Sequence, residues 1–178
     1  MCHFMTTLQM NTIIRKGQKS DTDNLVALNR LWFKPNLENN DNGFLSVTYD
    51  NTFFESIIEN DDLLVFEKES QIVGYVLVNT IINTQHIENI KLEYFELKPY
   101  AKKKEIAFSY QILVDKILQG TGFFYSAQKE YFNYYKTKYS VLISTVNKEN
   151  LRSIKAHEKA GWTFIDTKKY YFIIEKSL

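Results

Sequence analysis

Three consecutive lysines, Lys102–Lys104, stand just after Pro99 and ahead of a segment in which Ile106, Ile112, Leu113 and Ile117 recur at helical spacing. The spacing predicts a helix from Lys102 to Leu118. Its N-terminus already carries partial positive charge, so each lysine is unfavourable there by roughly a few tenths of a kcal/mol unless an anion joins them. Otherwise the three cations solvate a loop. Two further residue types in the chain can move protons. Glu93 and Glu96 lie in a predicted strand before Pro99, at positions of opposite parity, so a regular strand turns only one of them toward a cleft. His157 titrates near neutrality and suits either a proton donor or a packing role on a helix.

His157 belongs to the most patterned stretch of the chain, Asn150 to Trp162. Leu151, Ile154 and Ala156 fall near helical spacing, Gly161 supplies a stop, and Trp162, Phe164 and Ile165 open an apolar run. A helix that ends on glycine and turns into a strand is the expected local structure.

The chain of 178 residues is long enough for one domain with a substantial core. A boundary at Thr12 is expected, with residues 1–11 as a flexible tail and 12–178 as the domain. Aromatics at 15% and only 6 Gly and 2 Pro describe a packed protein rather than a low-complexity one. A formal charge of +1 argues against a surface that coats nucleic acid. One cysteine, Cys2, suits a reducing cytoplasm, and no apolar run reaches membrane-spanning length. Cytoplasmic, with neither nucleic-acid nor membrane partners, is the expectation. One cysteine with His3, His86 and His157 makes no zinc pattern, so no metal is expected; Gly-x-Gly-x-x-Gly and the phosphate-loop pattern Gly-x-x-x-x-Gly-Lys-Ser/Thr are absent.

The remaining elements follow from pattern. Ile13 and Ile14 suggest a strand; Leu25, Leu28 and Leu31 give a helix capped by Ser20 or Asp21; Phe53, Phe54, Ile57 and Ile58 give a second. Leu63–Phe66 and Ile72–Ile82 form a hairpin around the turn Glu67–Gln71, and Ile90–Leu97 is a third strand. Phe123–Lys138, dense in aromatics, fits a helix or an insertion ahead of a fifth strand at Val141–Val146. Its rings are material for core, for an acyl or aromatic pocket, or for a homodimer surface. The Trp32–Phe44 loop, with acidic Glu38 and Asp41, is a place for acceptor recognition. Tyr170–Ile174 closes the sequence of elements. The plan is α+β: a central mixed, mostly antiparallel sheet flanked by helices in a single domain.

The Asn150–Trp162 segment resembles the second half of the acyl-CoA N-acyltransferase (GNAT) superfamily signature, Asn-x-x-Ser/Ala followed by Tyr-Glu-Lys-x-Gly-Phe, with His157 in the tyrosine position and Trp162 in the phenylalanine position. The element order is similar to that fold from Thr12 onward. The resemblance implies an N-acetyltransferase that moves an acetyl group from acetyl-CoA to a primary amine by direct attack, the acceptor being a small molecule or a peptide. It implies His157 as the acid and Glu93 as the base. It implies that Leu97 and Lys98 offer backbone groups to the pantetheine arm, and that Asn150 and Ser153 lie near the arm or the phosphate. The superfamily's pyrophosphate pattern, Gln/Arg-x-x-Gly-x-Gly/Ala, is placed on Lys102, Lys103, Lys104, Glu105, Ile106 and Ala107, with Glu105 replacing the glycine. The Glu105 and His157 departures imply an alternative, a catalytically degenerate module that binds acyl-CoA or a protein partner.

Overall fold

The computed structural model describes residues 12–39, 43–79 and 106–178. Among these residues seven strands make one sheet: β1 (Thr12–Lys16), β2 (Leu63–Lys68), β3 (Gln71–Asn79), β4 (Ile106–Val114), β5 (Val141–Asn147), β6 (Thr163–Thr167) and β7 (Tyr171–Ser177). They lie in the order β1-β2-β3-β4-β5-β7-β6, and every neighbouring pair is antiparallel except β4 with β5. Among the described residues four α-helices cover the sheet: α1 (Thr22–Leu31), α2 (Asn51–Glu59), α3 (Phe123–Tyr135) and α4 (Leu151–Lys159). The single-domain, mixed and mostly antiparallel plan expected from the sequence is the one observed.

Two apolar layers hold the sheet between them. On one side α1 and α2 send Leu25, Val26, Phe53, Phe54 and Ile57 onto Leu63, Val65, Tyr75 and Leu77. On the other, α3 buries Phe123, Ala127, Tyr131 and Tyr135, a stripe repeating every four residues, against Leu64, Phe66, Val76 and Val78. The hairpin between β2 and β3 turns at Glu69 and Ser70, both with positive φ, the geometry that matches the twist of flanking strands.

The helix predicted over Lys102–Leu118 is not formed. Ile106–Val114 is strand β4, and among the described residues of that stretch only the single turn Lys116–Leu118 is helical. A central strand packed on both faces is apolar at both parities, so its spacing mimics a helix. The next predicted element shifts with it. The aromatic stretch is α3, which precedes the fifth strand as expected and is the crossover that a parallel β4–β5 pair requires. The third strand of the meander is therefore β4; the segment Ile90–Leu97 lies outside the described residues.

A buried polar cluster fastens α1 and the chain preceding α2 to the middle of the sheet. The Asn29 side chain, fully buried, donates from Nδ2 to Tyr75 Oη at 2.8 Å and to Gln111 Oε1 at 3.0 Å, while its Oδ1 accepts the Tyr49 amide at 2.9 Å. Tyr75 donates to Gln111 Oε1, and Gln111 Nε2 donates to the Val47 carbonyl, both at 2.8 Å. Replacing Asn29 with Ala strands several of these groups without water. The expected cost is roughly 2 kcal/mol or more in a urea unfolding series, and a change within error of zero would show that the cluster does not hold this face.

Candidate functional site

The site begins where the sheet comes apart. β4 and β5 pair through only Ile106–Val141, Ala107–Leu142 and Phe108–Ile143. Just beyond, the Ser144 hydroxyl donates to the Ser109 carbonyl at 2.6 Å, a side-chain bond where a backbone bond would continue the ladder. The β3–β4 register also slips: Leu77 faces Gln111 and Val78 faces Ser109, so Tyr110 is an extra residue on β4. Such a bulge bends and twists a strand, and here it coincides with the point of separation. Ile112, Leu113 and Val114 then run along a cleft of about 510 Å³.

The far wall of the cleft is α4. Asn150 is its N-cap: Oδ1 accepts the Ser153 amide at 3.1 Å, and Nδ2 donates to the Phe44 carbonyl at 2.9 Å. Asn147, just ahead of it, accepts from the Glu149 amide through its Oδ1 at 2.9 Å. Arg152, Ser153, Lys155, Ala156 and Lys159 all line the cleft, which among the described residues has three cationic side chains and no carboxylate. Trp32, Phe44 and Leu45 close another side, tied in place by Leu45 N donating to Trp32 O (2.8 Å) and Trp32 Nε1 to Asp115 Oδ2 (3.4 Å).

The floor at the cationic end is the loop from β4 to α3. Asp115 caps the turn Lys116–Leu118, and Gly120 and Gly122 take positive φ of 77° and 83°. Gly122 stands immediately before α3, so the N-terminal amides of a 13-residue helix open beside Phe124 and Tyr125. The amides of Gly120, Gly122 and Phe124 make no hydrogen bond to the described residues. Free amides, a helix N-terminus and three nearby cations make an environment suited to an anion.

No protein-family model and no curated protein sequence matches the chain. Solved structures do. A GNAT-family acetyltransferase from Streptococcus pneumoniae is similar over 94% of this chain and 99% of its own, with TM-score 0.65 and 16% identity. The chain has the GNAT fold. Ribosomal-protein-alanine N-acetyltransferase from Brucella melitensis matches with TM-score 0.62 and 20% identity over 93% of this chain and 99% of its own. PaiA N-acetyltransferase from Thermoplasma acidophilum, solved in complex with coenzyme A, matches with TM-score 0.62 and 16% identity over 95% of this chain and all of its own.

Of the segment expected to hold the pyrophosphate, Lys102–Ala107, only Ile106 and Ala107 are among the described residues. Ile106 and Ala107 lie inside β4, Ala107 fully buried, well before the strand-to-helix junction. The junction is Asp115–Gly122. Gln119-Gly120-Thr121-Gly122-Phe123-Phe124 meets the pattern Gln/Arg-x-x-Gly-x-Gly/Ala at Gln119 and Gly122 and departs from it only at Phe124. The signal was present in the sequence, but the two glycines looked like the end of a helix once Lys102–Leu118 had been counted as one. Glu93, Leu97, Lys98, Lys102, Lys103, Lys104 and Glu105 lie outside the described residues. Of the expected residues, Asn150 and Ser153 line the cleft and His157 does not.

His157 is buried on the inner side of α4, edge-on to Phe124 and Trp162 with ring centroids 5.7 and 5.4 Å away. Its Nδ1 is 2.8 Å from the Ser153 carbonyl and 3.2 Å from the Ser153 hydroxyl. A carbonyl can only accept, so the proton resides on Nδ1. Desolvation pushes the imidazole from 6.5 down to about 4, opposed by that backbone bond. The ring is neutral at physiological pH with its one proton committed to the helix.

The depressed value has a thermodynamic consequence. Its contribution to stability is present above 6.5 and is lost as pH falls toward 4, on the order of 3 kcal/mol in all. Asp62, pushed up to about 6 by burial, has the opposite dependence over an overlapping range. The difference between the wild type and His157→Phe isolates the histidine. Their unfolding free energies are expected to converge by a few kcal/mol, or cross, as pH is lowered from about 7 to 4; a pH-independent difference would mean the ring is not buried neutral.

Proposed function

We propose that the protein is an acyl-CoA-dependent N-acyltransferase. The observation that carries this reading is the cleft itself: an unpaired edge of β4 faces a cationic helix and leads to free amides at the start of α3. A pantetheine arm offers amides that can complete the β4 edge as a strand would, and a pyrophosphate suits the Gln119–Phe124 turn with Arg152, Lys155 and Lys159 beside it. The coenzyme A bound to the PaiA enzyme and the fold shared with it support the same ligand class. Asn150 and Ser153 are assigned to the wall facing the arm.

The reaction is attack of an amine nitrogen on the thioester carbonyl. A C–N bond forms, the C–S bond breaks, the amine proton leaves to a base, and the thiolate takes up a proton. The base expected from the resemblance, Glu93, stays a proposal. For His157 we propose a positioning role in place of the acid: it braces Ser153 and Phe124 from behind the cleft, in keeping with its neutral, committed Nδ1. Phe124 fills part of the space that a small residue leaves at that position, and the His157 ring packs against it. The acceptor we propose is a small-molecule or peptide amine, in line with the ribosomal-protein enzyme of the same fold. Residues 12–178 are taken as the catalytic unit, and the cytoplasm as its place; among the described residues no helix is long and apolar enough to cross a membrane.

One observation favours a second reading. Phe124 and the inward-turned His157 remove two features of an active cleft, which suits a module that binds acyl-CoA without turnover. Calorimetric titration with acetyl-CoA is expected to give micromolar binding, and Gly122→Val, which loads a positive-φ position with a branched side chain, is expected to weaken it by about tenfold or more. Absent binding by the wild type overturns both readings. Thiol release from acetyl-CoA with any amine of a broad panel supports the enzyme; binding with no release supports the module. His157→Phe is expected to leave coenzyme affinity and the pH profile of turnover nearly unchanged, whereas loss of an alkaline limb would restore it as the acid.

A further inference from the structure

Asp115, the first residue after β4, is bonded in three directions. Its amide donates to the Val73 carbonyl on β3 at 2.8 Å, and its own carbonyl accepts the Leu118 amide at 3.0 Å. Oδ1 accepts the Ile117 amide at 3.1 Å, which caps the turn Lys116–Leu118, and Oδ2 accepts the Trp32 indole N–H at 3.4 Å. One carboxylate therefore holds the start of the anion-binding turn with one oxygen and another wall of the cleft with the other.

Both paths continue beyond Asp115. On the turn side, the Leu118 carbonyl accepts the Thr121 hydroxyl at 2.7 Å, and Thr121 Oγ1 accepts the Phe123 amide at 3.3 Å, so the order set at Asp115 reaches the first residue of α3. On the wall side, the Trp32 carbonyl accepts the Leu45 amide at 2.8 Å, and the neighbouring Phe44 carbonyl accepts Asn150 Nδ2 at 2.9 Å. That path ends on the N-cap of α4. Trp32 is buried, its indole nitrogen can only donate, and Asp115 is the acceptor that satisfies it. The carboxylate–indole bond is also the longest of the four, which makes it the joint at which turn and wall can part.

We propose that Asp115 is a positioning residue that makes the anion-binding turn and the Trp32 wall behave as one unit. The ligand on the turn rests on the acyl-CoA reading above; the coupling itself belongs to the free protein. Two substitutions open the joint from opposite sides. Asp115→Asn leaves one acceptor oxygen for two N–H groups, and Trp32→Phe keeps an aromatic ring while removing the indole N–H.

The test is hydrogen exchange on the full chain without ligand, for the wild type, each variant and the double variant, alongside calorimetry with acetyl-CoA; circular dichroism checks folding. Trp32→Phe is expected to speed exchange at Leu118–Phe123 about threefold or more with β1 and β6 unchanged, and to weaken acetyl-CoA binding by a similar factor. Asp115→Asn is expected to reproduce the loosening at the turn and to speed the Leu45 amide on the wall as well, which a residue that only caps its own turn would leave alone. The double variant is expected to add nothing to either single one, since all break the same joint. Full additivity, an unchanged rate at Leu118–Phe123 in Trp32→Phe, or a uniform rise over the whole chain overturns the proposal. If Trp32→Phe does not fold, an unchanged Leu45 amide in Asp115→Asn overturns it alone. If acetyl-CoA does not bind the wild type, the acyl-CoA reading fails and the exchange arm still decides the role of Asp115.

Discussion

The parting of β4 from β5 is the constraint on which the site depends. Two parallel strands that stay paired for three residues and then diverge leave backbone donors and acceptors on β4 without a ladder partner on that side. Such groups are costly unless water, side chain or ligand meets them. The fold sustains the divergence from several directions. The Tyr110 bulge turns the strand, Ser144 bonds back to Ser109 at the fork, and the Asn29–Tyr75–Gln111 cluster grips β4 from the α1 side. The cleft is thus a consequence of how the sheet is built and not of a loop laid over it.

Electrostatics divides the molecule around that fork. Cations gather on the cleft-facing side of α4 and beside the start of α3, while the inner side of α4 holds a histidine kept neutral by burial. The same helix therefore presents charge outward to an anion and a neutral ring inward to Trp162 and Phe124. His157 is shorter than the tyrosine the resemblance leads one to expect, and the larger Phe124 occupies the neighbouring space. These two departures touch each other, which makes them one change in packing and not two independent losses.

Much of the architecture was legible because it rests on patterns with one physical cause. The Asn150–Trp162 segment needed a cap, an apolar stripe and a glycine stop, and all three act locally. Asn150 is that cap, and its amide also reaches the Phe44 carbonyl, a contact no local pattern reveals. The strand over Ile106–Val114 was read as a helix because burial on both faces erases the alternation that identifies a strand. That one difference set the expected strand-to-helix junction at Lys102–Ala107, whereas the observed one is Asp115–Gly122. His157 was legible as a position but not as an orientation, since which way it turns on α4 is decided by Trp162 and Phe124.

Hydrogen–deuterium exchange with and without coenzyme A tests the central claim most directly, because the claim concerns backbone amides. The account predicts slowed exchange concentrated at Ile112–Tyr125 and at the start of α4 when the coenzyme is added, with β1, β6 and α2 unchanged. Saturating coenzyme that leaves Ile112–Tyr125 at its free rate would contradict it, and would mean that the open edge of β4 and the turn before α3 are not where this protein holds its ligand.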